Sequence, residues 1–280
     1  MWYRRAVEQA VVSSGSERVL TVHGRHIQLF EGGTGRPLLY LHGAGTFWWM
    51  PVHDLLAARR RVFLPVHPGF GASEGLDAIE TMEDLVFHTV DVLDTLRLDR
   101  IDVVGLSLGG WLGAELALRH PARVNRLVLV DAAGVRLPGV SMGNPFMMPP
   151  PKVRELTFHD PTLPVAKAIL PDAPPPERLE TVLRGREASA RLLWSPAQQY
   201  RKLTSRLWRI TAPTLVVWGR EDRLIPLAYG EAYARGISGA RLEVLDRCGH
   251  LPPFEHPERF AEIVHGFLGG EPPASHARVQ

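Results

Sequence analysis

After Pro37 the chain alternates two kinds of segment, and this alternation limits its fold more than any other feature. Short apolar runs stop at Gly, Asp or His: PLLYLHG (37–43), RRVFLPVH (60–67), RIDVVGLS (100–107), VNRLVLVDA (124–132), PTLVVWG (213–219) and ARLEVLD (240–246). Helical patterns lie between them. In residues 81–97, Met82, Leu85, Val86, Val90, Leu93 and Leu96 fall near a 3.6-residue repeat, behind a Thr81/Asp84 N-cap pattern. Runs that are apolar throughout suit parallel strands covered on both faces, and helical returns between them make βαβ crossovers. Two alternating β-branched runs ahead of Pro37, RVLTVHG and RHIQLFEGG, read as a strand pair turning at Gly24. The expected fold class is α/β: a doubly wound, mostly parallel sheet of eight strands.

Residues 134–212 break the alternation. They hold no strand-like run, are rich in proline and methionine (PFMMPPPK, LPDAPPPERL), and show helical stretches at 152–159, 176–193 and 197–209. An insertion of this size is most simply a helical cap over the C-terminal edge of the sheet, where open α/β sheets bind ligands. The expected division is a core of residues 1–133 and 213–270, a cap of 134–212, and a flexible tail of 271–280. Met147 and Met148, beside Phe146, are expected to line an apolar pocket, since methionine adapts its shape to irregular contacts.

Composition excludes several function classes. Hydrophobic residues make up 45% and charged residues 22%, as in ordinary globular proteins. No run approaches the roughly 18 consecutive apolar residues of a membrane span. The opening MWYRRAVEQAVVSSGSERV lacks the apolar stretch of a secretory signal. The single cysteine, Cys248, excludes an internal disulfide framework and a cysteine-rich metal site. A cytoplasmic location is expected. The two charge signs are interspersed, with a net charge of +2 and no basic stripe, which argues against nucleic acid as a partner.

GLSLG at 105–109 carries the strongest chemical signal, because of its context. The strand pattern IDVV runs straight in and the helical pattern LGGWLGAELALRH runs straight out. A G-x-S-x-G turn between strand and helix holds its serine above the sheet at a helix N-terminus, with the next N–H aimed at the same point. Ser107 is therefore the expected nucleophile, and the N–H of Leu108 an oxyanion donor.

With LHGAG (41–45), HPGFGASEG (67–75), GLSLGG (105–110), WGREDRLIP (218–226) and CGHLPPFEHPERF (248–260), the chain resembles the α/β-hydrolase family with a helical cap, from about residue 18 to 268. His67 stands where many relatives carry an acidic residue. The resemblance implies His250, in the loop after the last strand, as general base. It implies Asp222 as the acid that orients it, in the chain order serine, acid, histidine. Asp131, at the end of RLVLVD, competes, because some capped members draw their acid from that strand end. Glu221 is adjacent to Asp222 but falls outside the family's G-x-x-D pattern, and Arg223 is expected to anchor the loop. HGAG resembles the oxyanion loop, which assigns the second donor to the N–H of Ala44. His42 reads as a structural hydrogen-bonder. Trp48 follows that loop as a further substrate-binding candidate.

The expected activity is that of a cofactor-free serine hydrolase, carboxylesterase-like, cleaving a small or medium carboxylic ester through an acyl-enzyme. Nothing in the sequence supports a metal or a nucleotide. The alternative keeps the triad and changes the bond: the hydrolases that cleave carbon–carbon bonds of aromatic ring-fission products share WGREDRLIP-like and CGH-like stretches. Those relatives commonly carry Trp after the catalytic His, where this chain has Leu251, and that departure favours the ester. A ligand receptor on a hydrolase fold is the third reading. The oligomeric state is not readable from the sequence.

Overall fold

The structure is a computed structural model that describes residues 15–193 and 200–269. The expected tail at 271–280 and Trp194 lie outside the described residues. Eight strands form one sheet: β1 (Ser16–Val22), β2 (Arg25–Gly32), β3 (Pro37–Leu41), β4 (Arg61–Pro65), β5 (Ile101–Leu106), β6 (Val124–Val130), β7 (Thr214–Gly219) and β8 (Arg241–Leu245). Their order is β1-β2-β4-β3-β5-β6-β7-β8. The pairings β1/β2 and β2/β4 are antiparallel and the rest parallel, as the alternation predicts.

Among the described residues, ten α-helices accompany the strands: α1 (Pro51–Ala57), α2 (Met82–Thr95), α3 (Leu108–Arg119), α4 (Pro150–Thr157), α5 (Pro164–Ile169), α6 (Leu179–Leu193), α7 (Arg201–Thr204), α8 (Leu227–Gly236), α9 (Pro252–Glu255) and α10 (Pro257–Gly269). Helix α2 starts where its cap pattern places it. Thr81 Oγ1 accepts from Asp84 N–H, and Asp84 Oδ2 accepts from Thr81 N–H at 2.8 Å. Its face Leu85, Val86, Thr89, Val92 and Leu93 is buried, the helical spacing that apolar periodicity requires.

Burial follows position in the sheet. Every residue of β5 and β7 is buried, whereas the edge strands β1 and β8 alternate or lie open. The chain leaves β3 for β4 on one side and reaches β5 on the other. The turns after β3 and β5 therefore meet at a topological switch point, where the carboxyl ends of strands open a crevice.

Residues 134–212 contain helices α4 to α7 and, among the described residues, no strand. Helix α6 buries Gly185, Ala188, Ser189, Leu192 and Leu193 along one stripe. Contacts tie this segment to its surroundings: Arg184 donates to Ser73 O, in the loop after β4, at 3.1 Å, and Tyr229 Oη, on α8, donates to Val140 O at 2.7 Å.

Candidate active site

The junction of β5 and α3 is strained and tightly packed. Ser107 has φ +53° and ψ −112°, outside the ordinary regions for a non-glycine residue, which costs of order 1–3 kcal/mol and persists only if its surroundings enforce it. They do. Ser107 N–H donates to Val130 O at 2.9 Å, and Ser107 O accepts from Trp111 N–H at 3.1 Å and Ala133 N–H at 3.0 Å. A Cβ at Gly105 would run into the Gly109 carbonyl, and one at Gly109 into the Leu41 carbonyl. The G-x-S-x-G spacing is thus a packing requirement: backbones approach where the serine is turned outward. Leu108, first residue of α3, keeps an N–H without an intrahelical acceptor, beside the positive end of the helix dipole.

Two other strand ends deliver a carboxyl group and an imidazole. Asp222 lies in the loop after β7, and His250 in the loop after β8. His250 Nδ1 and Asp222 Oδ2 are 2.7 Å apart, and both side chains are buried. The other Asp222 oxygen, Oδ1, accepts from Leu224 N–H and Ile225 N–H, each at 2.8 Å, which fixes the carboxylate's orientation. The loops are locked together. His250 N–H donates to Thr157 O at 2.6 Å, Glu221 Oε2 accepts from Cys248 N–H, and Glu255 Oε1 accepts from Gly249 N–H, the last two at 2.9 Å. Glu221 therefore fastens the histidine loop, and Arg223 anchors its own loop by donating to Glu155 O at 2.8 Å.

Asp131 sits close by without bonding the imidazole. Its Oδ1 accepts from Gly219 N–H at 3.1 Å. Among the described residues, Asp131, Asp222 and His250 are the one group of three with metal-ligand chemistry, their ligand atoms lying within 4.8 Å of one another. The hydrogen bond from imidazole to carboxylate already accounts for two of them.

The turn after β3 is held by a pair of histidines. His42 Nε2 accepts from His67 N–H at 2.9 Å, which leaves the proton on Nδ1, donated to Gly43 O at 2.7 Å. The two rings stack with centroids 3.9 Å apart. Burial lowers the His42 pKa to about 4 and holds His67 well below the usual imidazole range. Both rings are neutral, and His42 is a structural hydrogen-bonder as expected.

A cavity of about 440 Å³ opens beside this turn, and Ser107 and His250 both line it. Gly43 and Ala44 line it from the β3 turn, Trp48 from the stretch that follows, and Met148 from the 134–212 segment. Met147 does not: its side chain is 70% exposed and stands outside the lining. Leu108 is buried beneath Ser107 rather than facing the cavity. Leu251, the residue after His250, also lines the cavity, and one charged lining residue carries no sequence signal. Arg186, on α6, contributes the one permanently charged side chain among the described lining residues. Arg184, two positions earlier, is drawn off by the carbonyls of Gly71 and Ser73, a difference no pattern in the helix announces.

Residues 38–263 match the family model described as the alpha/beta hydrolase family. The chain is 34% identical over 270 residues to the 2-hydroxymuconate semialdehyde hydrolase of Pseudomonas sp. strain CF600, covering 90% of this chain and 93% of the relative. It is 32% identical to the 2-hydroxy-6-oxononadienedioate/2-hydroxy-6-oxononatrienedioate hydrolase of Cupriavidus pinatubonensis strain JMP 134, over 93% of this chain and 98% of the relative. A solved meta-cleavage product hydrolase from Pseudomonas fluorescens IP01 shares the fold with TM-score 0.73 at 24% identity, over 90% and 97% of the two chains.

These likenesses correct the expectation of a carboxylic ester as substrate. The relatives are named for ring-fission products, the alternative that the sequence also offered. The physical reason for the misreading is that the elbow and the acid–base pair specify a nucleophile and not the bond it breaks. Leu251, where those relatives commonly carry Trp, is one wall residue of the cavity and does not decide the chemistry.

Proposed function

The chain belongs to the alpha/beta hydrolase family, and on that premise we propose that it hydrolyses a carbon–carbon bond in a ring-fission product of the 2-hydroxy-6-oxo-dienoate type. The observation that carries the proposal is the pairing of His250 with Asp222 at 2.7 Å on the cavity that Ser107 also lines. The named activities of its relatives supply the bond type.

In this reading the substrate first takes its keto form, with the enol proton transferred to C5. Ser107 Oγ then attacks the 6-oxo carbon while His250 Nε2 takes the hydroxyl proton. Asp222 keeps the other imidazole proton on Nδ1 and stabilises the imidazolium that forms. The N–H groups of Ala44 and Leu108 receive the developing oxyanion, each such donor being worth roughly 3–4 kcal/mol. When the C5–C6 bond breaks, its electron pair is delocalised through the C3–C4 double bond to the 2-oxo group, so carbon leaves as a dienolate and takes a proton. Water, activated by His250, releases the remaining acyl group from Ser107 as a carboxylic acid.

The cavity supports this substrate class. Residues 134–212 act in this reading as a cap, whose apolar walls suit the acyl end. Arg186 offers a cation to the dienoate carboxylate.

The test is turnover of 2-hydroxy-6-oxohepta-2,4-dienoate in ¹⁸O-labelled water. The expected products are 2-hydroxypenta-2,4-dienoate and acetate carrying the label. Intact dienoate, with the protein folded, overturns the proposal.

A further inference from the structure

Asp131 directly follows strand β6 in a backbone conformation that a residue with a side chain rarely adopts, φ +41°. Its carboxyl group is fully buried. One oxygen accepts from Gly219 N–H, and the other, Oδ2, has no hydrogen-bond partner. Carboxyl oxygens of Asp131 and Asp222 and a ring nitrogen of His250 lie within 4.8 Å of one another. A strained backbone and a half-satisfied buried carboxyl both cost free energy. A second carboxylate beside the imidazole would do further harm, because it would hold His250 as imidazolium and remove the base.

We propose that Asp131 is a positioning residue of this site: Oδ2 carries a proton and donates a hydrogen bond to the Asp222 carboxylate. The inference rests on the triad reading above. It gives each atom a partner, since Oδ1 accepts from Gly219 and Oδ2–H donates to Asp222. It also steadies Asp222 against His250 without adding charge. The titratable groups facing Asp131 are Asp222 and His250, with Cys248 on the loop after β8 and Glu255 on α9. Burial and then the Asp222 charge raise the Asp131 pKa well above the carboxylate range, and burial raises the Cys248 thiol as well. Cys248 and Glu255 bring no positive charge that would favour an ionised Asp131.

The test uses the rate at which a small fluorophosphonate labels Ser107, followed against pH, because that rate reports the base form of His250 whatever the natural substrate. Asp131→Asn preserves the arrangement: its amide oxygen accepts from Gly219, and its amide N–H donates to Asp222. The acid limb of its profile is expected to coincide with that of the wild type. Asp131→Ala removes the donor, so the field of Asp222 acts more strongly on His250. The acid limb should move to higher pH, and the plateau rate should fall about tenfold, as for loss of a hydrogen bond to a charged group. An acid limb displaced to lower pH in Asp131→Asn would show that Asp131 is charged and overturn the inference by itself, even if the alanine variant fails to fold. A profile unmoved in a folded Asp131→Ala also overturns it. Labelling of wild type at a serine other than Ser107 overturns the triad reading, and the inference falls with it.

Discussion

His42 and His67, 25 residues apart, stack face to face and are joined by a hydrogen bond from the His67 N–H to the His42 ring. The pair fixes the turn that carries Gly43 and Ala44, and it works only with neutral rings. Burial lowers His42 to about 4, and it lowers His53, buried on α1, to about 3. An unfolded chain takes up these protons near pH 6.5 and the folded protein refuses them. Stability contributed by these groups is therefore present above pH 6.5 and lost as pH falls towards 4. At about 1.4 kcal/mol per unit of depression, His42 alone accounts for about 3 kcal/mol at the acid end. Urea midpoints at pH 7.5 and 5.0 test this, and equal midpoints would refute the neutral pair.

The elbow should not tolerate a methyl group. Gly109→Ala places a Cβ against the Leu41 carbonyl, and backbone cannot move aside as a side chain tip can. Overpacking of this kind costs about 1–3 kcal/mol, and here it also displaces Ser107. Thermal melting should drop by several degrees, and fluorophosphonate labelling should slow by more than an order of magnitude. Wild-type labelling in that variant would show that the turn has slack.

Asp222→Asn should spare the fold and remove turnover. The asparagine amide donates where the carboxylate accepted, so the imidazole proton moves to the wrong nitrogen. A loss on the order of 10⁴ in kcat is expected. Asp131→Asn should lose little. The reverse ranking would transfer the orienting role to the end of β6.

Cavity residues should separate by position. Met148→Ala enlarges the lining and should shift kcat/KM towards bulkier 6-substituents, with each methylene of fit worth roughly 1–3 kcal/mol. Met147→Ala, outside the lining, should leave the selectivity profile unchanged. Arg186→Gln should raise KM for dienoates more than it lowers kcat. An unchanged KM would remove Arg186 from the substrate.

The features visible in the sequence are those enforced by backbone geometry. Gly105, Ser107 and Gly109 are readable because strand, turn and helix leave room for no other residues. His250 and Asp222 are readable through the family resemblance carried by WGREDRLIP and CGHLPPFEHPERF, each stretch lying at a strand end. The cavity wall was far less legible. Met147 and Met148 are alike in composition, yet only Met148 faces the cavity, because a single residue's turn of irregular chain decides it. Arg186 and Arg184 are likewise equivalent in pattern, and only the carbonyls of a distant loop distinguish them. The substrate bond is illegible for the same reason: it depends on the shape of the cavity wall and not on the elbow.

The central claim is that Ser107 drives carbon–carbon cleavage, and its most direct test is steady-state consumption of 2-hydroxy-6-oxohepta-2,4-dienoate by wild type and Ser107→Ala at matched folding. The account predicts efficient cleavage by the wild type, reduced in the variant by a factor on the order of 10³ or more. Equal rates in the two proteins, or no cleavage by a wild type that is still labelled at Ser107, would contradict it.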